Sequence, residues 1–425
     1  MSSSEPQVVE SSFVAPSEAT PRKGLWLSPL DLDLANRGHT PTVYFYRCND
    51  DAAAYFFDVA KLKEAMAMAL VAFYPLAGRL DVDYDGRIEI SCNGEGALFV
   101  VARSDRTVDD FNDFNPSPEL RRLFVPHVEP LSIILAVQVT FLKCGGVALG
   151  TALHHAATDA MSAFHFFQTW SAFSRDGNSA AVELPCHDRT LLRPRSPPVV
   201  HPDALSVFYP KVILSESPDR PMASRVFTIS KDQVAFLKRG LCGGASTFCA
   251  VSALVWQCTC VIRQLPPDAE TRISFWAHVR RSVRPPLPDR FFGNALVALF
   301  AAGAARDIAS EALESVAGRI RGAIGRMDDE LVRSVIDYYE LAEMDSQPPK
   351  GILPETELRM VSWLGMPVYD ADFGWGKPCV MSRAESIPGG YVYLMNDGNN
   401  DAIRVLMCME AACIKEFERL LYAKL

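Results

Sequence analysis

Thr151-Ala-Leu-His-His-Ala-Ala-Thr-Asp-Ala160 is the stretch from which the rest of the chain can be read. Two adjacent histidines, His154 and His155, follow an apolar segment running from Leu131 to Gly150, and Asp159 stands four residues beyond His155. Residues 133–142 and 147–153 have the β-branched and aliphatic content of two strands, joined by the Gly-containing turn Lys143-Cys-Gly-Gly146. Met161 to Phe173 then carries apolar residues at helical spacing. The histidines therefore leave a buried hairpin where the chain turns into an amphipathic helix, a junction at which a rigid scaffold can present a reactive side chain.

An imidazole, with an unperturbed pKa of ~6.5, suits proton abstraction near neutrality. Three readings of the segment stand side by side: a general base, a packed structural histidine, and a metal set drawn from His-His-x-x-x-Asp. In extended chain, adjacent side chains point to opposite faces, which weakens a metal shared by both histidines. A carboxylate nearby could orient the ring, or hold the loop by pairing with an arginine.

Bulk properties narrow the classes. At 425 residues, with 49% hydrophobic and 10% aromatic content, the chain predicts two domains with large cores. A net charge of −9 argues against a nucleic-acid partner. The eleven cysteines form no metal-type C-x-x-C pairs, Gln257-Cys-Thr-Cys260 being the nearest approach; they read as buried small hydrophobes, reduced in a cytoplasmic protein. No apolar run approaches the ~18 residues of a membrane span, and no N-terminal apolar leader is evident. No Walker, dinucleotide or EF-hand signature and no internal repeat is present.

Along the chain, strands and helices alternate. Thr40 to Tyr46 reads as a strand, Val59 to Phe73 as a helix, and Gly78 to Ile90 as a hairpin turning at Asp85-Gly86. Prolines break the pattern from Leu184 to about Pro210, the best place for a crossover between domains. Beyond it, helices are expected from Ser230, from Ala245 with Ser246 or Thr247 as N-cap, and over 307–339, with a strand at 272–280 and a closing helix around 417–422.

Four more stretches occur in a fixed order: His39-Thr-Pro-Thr-Val-Tyr-Phe-Tyr-Arg47, Phe73-Tyr-Pro-Leu-Ala-Gly-Arg-Leu80, Arg284-Pro-Pro-Leu-Pro-Asp-Arg-Phe-Phe-Gly-Asn294 and Asp372-Phe-Gly-Trp-Gly-Lys-Pro378. Together with His155-x-x-x-Asp159 they resemble the BAHD family of plant acyl-CoA-dependent acyltransferases over nearly the whole chain. The first stretch is most similar to the hydroxycinnamoyltransferase branch. The resemblance implies an α/β fold of two similar-sized mixed-sheet domains, chloramphenicol-acetyltransferase-like, with a tunnel at their interface. CoA would enter it from one face and the acceptor from the other. Residues 1–185 would form one domain and 186–220 the linker; 221–371 and 398–425 would form the second, with about 372–397 crossing back onto the first.

The same resemblance assigns roles. His155 would be the general base of direct acyl transfer, and the indole N–H of Trp363 would face the developing oxyanion. Asp159 would be structural, paired with Arg280, and Asp372 would tie a glycine turn through a salt bridge or amide hydrogen bonds. Thr40, Thr42 and Tyr44 would line the substrate pocket. Ser246 and Thr247 would contact CoA if they do more than cap their helix. No metal and no permanently bound cofactor are expected; acyl-CoA is the co-substrate, and the protein would be a cytoplasmic monomer.

Two departures stand out. The glycine that usually follows the aspartate is Ala160, and the arginine that grips an acceptor carboxylate in shikimate- and quinate-accepting members is Pro348, with Lys350 nearby. An ammonium does not reproduce a bidentate guanidinium fork. The expected reaction is thus transfer of a hydroxycinnamoyl or benzoyl group to an arylalkyl amine such as tryptamine or tyramine. A small alcohol or polyol, shikimate or quinate, or an inactive acyl-CoA-binding member are the alternatives.

Overall fold

The computed structural model describes residues 5–48, 56–111, 114–209, 214, 220–241, 245–342, 351–398 and 401–425. The hairpin read from the sequence is there, with strands Leu135–Leu142 and Val147–His154 paired antiparallel. The turn is closed by Gly145 at φ +80°, a left-handed conformation that favours glycine. The hairpin is the middle of a six-stranded mixed sheet ordered Gln7–Val14, Ala97–Ser104, Leu135–Leu142, Val147–His154, His39–Tyr46 and Val380–Arg383. Gly150 is fixed by close approach. A Cβ there would stand 1.7 Å from the carbonyl oxygen of Phe124, at the end of the helix Pro118–Phe124.

A second six-stranded sheet runs Leu296–Ala304, Glu270–His278, Glu357–Ser362, Tyr391–Asn396, Ile403–Glu410 and Met222–Ile229. Lys23–Trp26, Ile88–Cys92 and Arg79–Val82 make a small third sheet, whose last two strands are the hairpin expected at Asp85-Gly86. Each large sheet belongs to its own half of the chain except at Val380–Arg383, which pairs with His39–Tyr46 of the first. By Tyr391 the chain is back in the second sheet, so the part inserted into the first sheet is shorter than the 372–397 expected. The proline-rich crossover is not loose: Leu192, Ala204, Val207 and Phe208 are buried in the core of the second half.

Side-chain alternation explains how the halves meet. Ile273, Phe275, Leu358 and Met360 face the helices of the second half. The opposite faces of those strands look at the first half, where a single apolar core draws Tyr44, Leu149 and Leu153 together with Trp363, Tyr391, Tyr393 and Leu406. That core continues into the helix Ala160–Asp176, packed against the helix Val59–Ala72. The long helical region expected over 307–339 is three helices, Ala305–Ser310, Leu313–Gly325 and Asp329–Leu341. Asp328 restarts the last by accepting from the Leu331 N–H at 2.9 Å. Among the described residues, no helix is long and apolar enough to cross a membrane.

Candidate active site

Adjacent histidines at the end of a strand take opposite faces, and the structure separates them accordingly. His154 closes the strand Val147–His154 in register with His39, and the two rings meet edge to face at 4.9 Å. Its main-chain N–H donates to Ile134, and its Nδ1 accepts from the Ala156 N–H at 3.2 Å. Burial first, then His39 and His155, push its pKa down to about 3. His154 is a packed, neutral ring.

His155 follows one residue on and shares the parity of Leu149, Thr151 and Leu153, the side that meets the second half. Its N–H donates to Gly38 at 2.9 Å, and its own carbonyl accepts from Asn294 Nδ2 at 2.8 Å, so its main chain is held from both sides. No carboxylate holds the ring: Nδ1 is buried and, among the described residues, hydrogen-bonds to none. Burial, helped by Arg37 and Arg383 against the pull of Asp159, lowers its pKa to about 4. The imidazole is therefore neutral across the physiological range and able to accept a proton.

Asp159 does a different job. It is the N-cap of the helix Ala160–Asp176, accepting from the Ser162 N–H at 3.0 Å, and it also accepts from the Ala295 N–H at 3.2 Å. Arg280 grips both its oxygens, at 2.6 and 2.9 Å, and both residues are buried. Burial would raise this carboxyl, but Arg280 and the two amides together hold it below the usual carboxylate range. Ala160, in place of the usual glycine, begins the helix without disturbing this cap.

The motif Asp372–Pro378 is architectural in its contacts. Asp372 Oδ1 accepts from the N–H groups of Gly374 (2.9 Å) and Gly376 (3.0 Å), which lie at φ +103° and +100°. Of the two ties considered for this turn, the structure shows amide hydrogen bonds; among the described residues Asp372 has no ion pair. Tyr46 Oη and Ser174 Oγ donate to the carbonyls of Ala371 and Phe373, and Trp170 packs edge-on to Phe373 at 4.6 Å.

Thr40, Thr42 and Tyr44 lie opposite Leu153, Thr151 and Leu149, hence on the same face of the sheet as His155. Thr42 and Thr151 share a hydrogen bond of 2.6 Å, and burial raises the phenol of Tyr44 well above its ordinary value. Trp363 ends the strand Glu357–Ser362 and meets Phe164 and Tyr393 edge to face, at 6.1 and 5.8 Å. Phe164 is on the helix that starts just after His155, so this contact brings the indole to the same seam. The N–H groups of Trp170 and Trp256 are spent on Leu62 and Thr271. Among the described residues none accepts from that of Trp363. Ser246 is an exposed N-cap accepting from the Cys249 N–H at 3.2 Å, and Thr247 begins that helix. Pro348 and Lys350 lie outside the described residues.

Three supporting residues escaped the sequence reading. Asp31 accepts from the main-chain and side-chain N–H groups of Asn294 at 2.8 and 3.0 Å and pairs with buried Arg189 at 3.1 Å. Arg189 in turn donates to the carbonyls of Ala156 and Ala157. The residues after His155 are thus clamped by the first half, the linker and the second half together. The available signal was a charged residue, Arg189, amid a proline-rich run that otherwise read as a connector. Among the described residues, no group of three His, Cys, Asp or Glu side chains is placed to hold a metal.

Comparison with known proteins gives the family and the fold. Residues 7–423 match the model of the family described as the transferase family. The chain is 43% identical to putrescine hydroxycinnamoyltransferase 1 of Oryza sativa subsp. japonica, over 99% of each chain. It is 38% identical to shikimate O-hydroxycinnamoyltransferase of Nicotiana tabacum, over 98% of this chain and 99% of that one. Its fold is similar to that of F. graminearum TRI101 complexed with ethyl coenzyme A, with a TM-score of 0.79 at 17% identity, covering 93% of this chain and 96% of that one. The chain belongs to the BAHD family, an acyl-CoA-dependent acyltransferase with acyl-CoA as its co-substrate.

Proposed function

We propose that the protein transfers an aromatic acyl group, hydroxycinnamoyl or benzoyl, from CoA to a small acceptor by direct attack, with His155 as general base. The observation that carries this reading is the contrast between the two groups of the motif. His155 is neutral and, among the described residues, no carboxylate hydrogen-bonds to its ring, whereas both oxygens of Asp159 are taken by Arg280 and two amides. A proton acceptor is on offer at the seam; an orienting carboxylate is not.

The steps follow from those positions. The acceptor gives its proton to the imidazole as it attacks the thioester carbonyl. The negative charge that gathers on the carbonyl oxygen is met by the indole N–H of Trp363. The imidazolium then returns the proton to the departing thiolate, so the histidine is regenerated without a covalent acyl-enzyme. Thr40, Thr42 and Tyr44 line the pocket on the first sheet, and Ser246 and Thr247 lie toward CoA. The protein acts as a cytoplasmic monomer.

Nitrogen is the preferred nucleophile in this reading, on an arylalkyl amine such as tryptamine or tyramine. A relative named for putrescine supports it, and one named for shikimate keeps an alcohol in second place. The test is turnover of hydroxycinnamoyl-CoA with a panel of amines and alcohols. His155→Ala is expected to lower kcat by about 10²–10⁴ while leaving acyl-CoA binding in place. A variant turning over near the wild-type rate would remove His155 from the mechanism.

A further inference from the structure

Where the two halves meet there is a group of charges that the transfer chemistry does not use. Arg359 sits on the strand Glu357–Ser362, four residues before Trp363. Its neighbours Leu358 and Met360 belong to the core of the second half, so Arg359 shares the face of Val361 and Trp363, which meets the first half. It is 3% exposed. Its Nε donates to Ser274 Oγ at 3.1 Å, and its guanidinium lies 5.6 Å from the ring centre of Trp276 and 5.8 Å from that of Tyr209.

A second guanidinium comes to the same indole from the other half. Arg37 lies 5.2 Å from the centre of the Trp276 ring, and it directly precedes Gly38, whose carbonyl receives the His155 N–H. Trp276 and Arg37 are each half-buried, whereas Arg359 lies behind them in the interior.

Among the described residues, the local acids answer these charges without pairing to them directly. Glu357 is engaged by the Tyr209 hydroxyl, at 2.6 Å to each oxygen, and Arg272 pairs with Glu270. Asp33 is the remaining carboxylate: burial raises its pKa, while Arg37, Tyr339 and Arg359 work against that shift. Among the described residues, neither Arg37 nor Arg359 forms an ion pair within 4.0 Å. Two guanidiniums thus converge on one indole, with Asp33 and the phenol-bonded Glu357 as the nearby carboxylates and neither within 4.0 Å of them. Desolvating a cation is costly unless an anion answers it.

We propose that Arg359 and Arg37, brought together on Trp276, form a subsite for a carboxylate borne by the acyl acceptor. The chemical class is an aromatic amine or alcohol whose nucleophile and carboxylate are on one small molecule. A guanidinium suits this task because its planar fork binds both carboxylate oxygens, and an indole beneath it fixes the plane. The subsite replaces, from a different strand and a different turn, the arginine missing at Pro348. This rests on the acyl-transfer reading and narrows its acceptor: the carboxylated counterparts of tyramine and tryptamine take their place as the preferred acceptors.

The test uses matched pairs that differ only by a carboxylate: tyrosine against tyramine for nitrogen, 4-hydroxyphenyllactate against 2-(4-hydroxyphenyl)ethanol for oxygen. The wild-type protein is expected to favour the acid in whichever pair it acylates, through a lower KM. In Arg359→Gln the acid-to-neutral ratio of kcat/KM should fall about 10- to 100-fold, the range for losing a charge-assisted contact. Arg359→Lys should recover part of it. Arg37→Gln, at a half-buried position that tolerates change better, should shift the ratio in the same direction. Titration calorimetry of each acid against the wild-type and Arg37→Gln proteins in the presence of CoA reads the subsite without turnover. If the acids neither bind nor react better than their neutral partners, or the ratio is unmoved in both glutamine variants, the subsite is wrong. Preference for the acid with oxygen nucleophiles only would uphold the subsite and overturn the amine reading instead.

Discussion

Asp159→Asn separates structure from chemistry at this site. The substitution keeps the shape of the side chain and its ability to cap the helix Ala160–Asp176, but it removes the charge that answers Arg280. That guanidinium is 5% exposed, its two bonds to Asp159 measure 2.6 and 2.9 Å, and among the described residues its remaining acceptors are Ser162 Oγ, the Phe291 carbonyl and the weak Met161 Sδ. Leaving a buried cation without its partner costs about 3–5 kcal/mol. For a chain of 425 residues, an unfolding entropy of about 2.1 cal/mol/K per residue makes 4 kcal/mol worth about 4–5 °C in Tm. If the two halves melt separately, the shift in the affected half is roughly twice that. Differential scanning fluorimetry reads the shift, and kcat per folded molecule, read alongside it, should fall less than tenfold. The double variant Asp159→Leu/Arg280→Met removes both charges and should recover at least half of the lost Tm, because no lone ion is left behind. An Asp159→Asn protein that melts like the wild type but has lost a hundredfold or more in kcat would refute the reasoning, and would place the carboxylate in the proton transfer itself.

Two more outcomes follow from the same geometry. Trp363→Phe keeps a ring against Phe164 and Tyr393 but removes the N–H, so steady-state kinetics should show kcat lower by about 10²–10³ with the KM for acyl-CoA changed little; a loss under threefold would take the indole out of oxyanion stabilisation. Stability should depend on acid through His154, His155 and His187, whose pKa values burial lowers to about 3, 4 and 4. Unfolded histidines, at ~6.5, bind protons that the folded ones refuse, so this contribution is complete above that pH and is lost as pH falls toward about 4. Tm measured from pH 7.5 to 4.5 should drop progressively below 6.5, and a flat profile would contradict the burial of these rings.

Local patterns in the sequence carried the hairpin and the helix after it, because each is specified by residues near one another in the chain, whereas the turn at Asp372 came with the family resemblance. Alternating aliphatics and apolar residues at helical spacing announce themselves within ten residues. The clamp on the chain after His155 could not be read that way. Asp31, Arg189 and Asn294 come from three distant segments, and nothing in a run such as Arg193-Pro-Arg-Ser-Pro-Pro198 shows that the nearby Arg189 is driven inward rather than left in water. The boundaries inside 305–341 blurred for a different reason. Helical periodicity continues across Glu311 and Met327, and only the capping geometry at Asp328 shows that the helix restarts there.

Acceptor recognition is the least legible part for a reason that lies in the sheet itself. A strand packed on both faces loses the alternation that would show which side each residue takes. Glu357-Leu-Arg-Met-Val-Ser362 reads as a strand, yet neither face of it reads as solvent. Arg359 can be assigned to the seam only because Leu358 and Met360 are claimed by the core of the second half. Pro348, by contrast, could be compared by position alone, and position suggested that a carboxylate had no partner. A cation supplied from the middle of a strand is fixed more rigidly than one supplied from a loop. Losing one arginine from a family position therefore does not fix the acceptor class: the charge that matters is the one that a strand of the second sheet and the turn before His39 bring to bear on Trp276, and that depends on which face the strand presents.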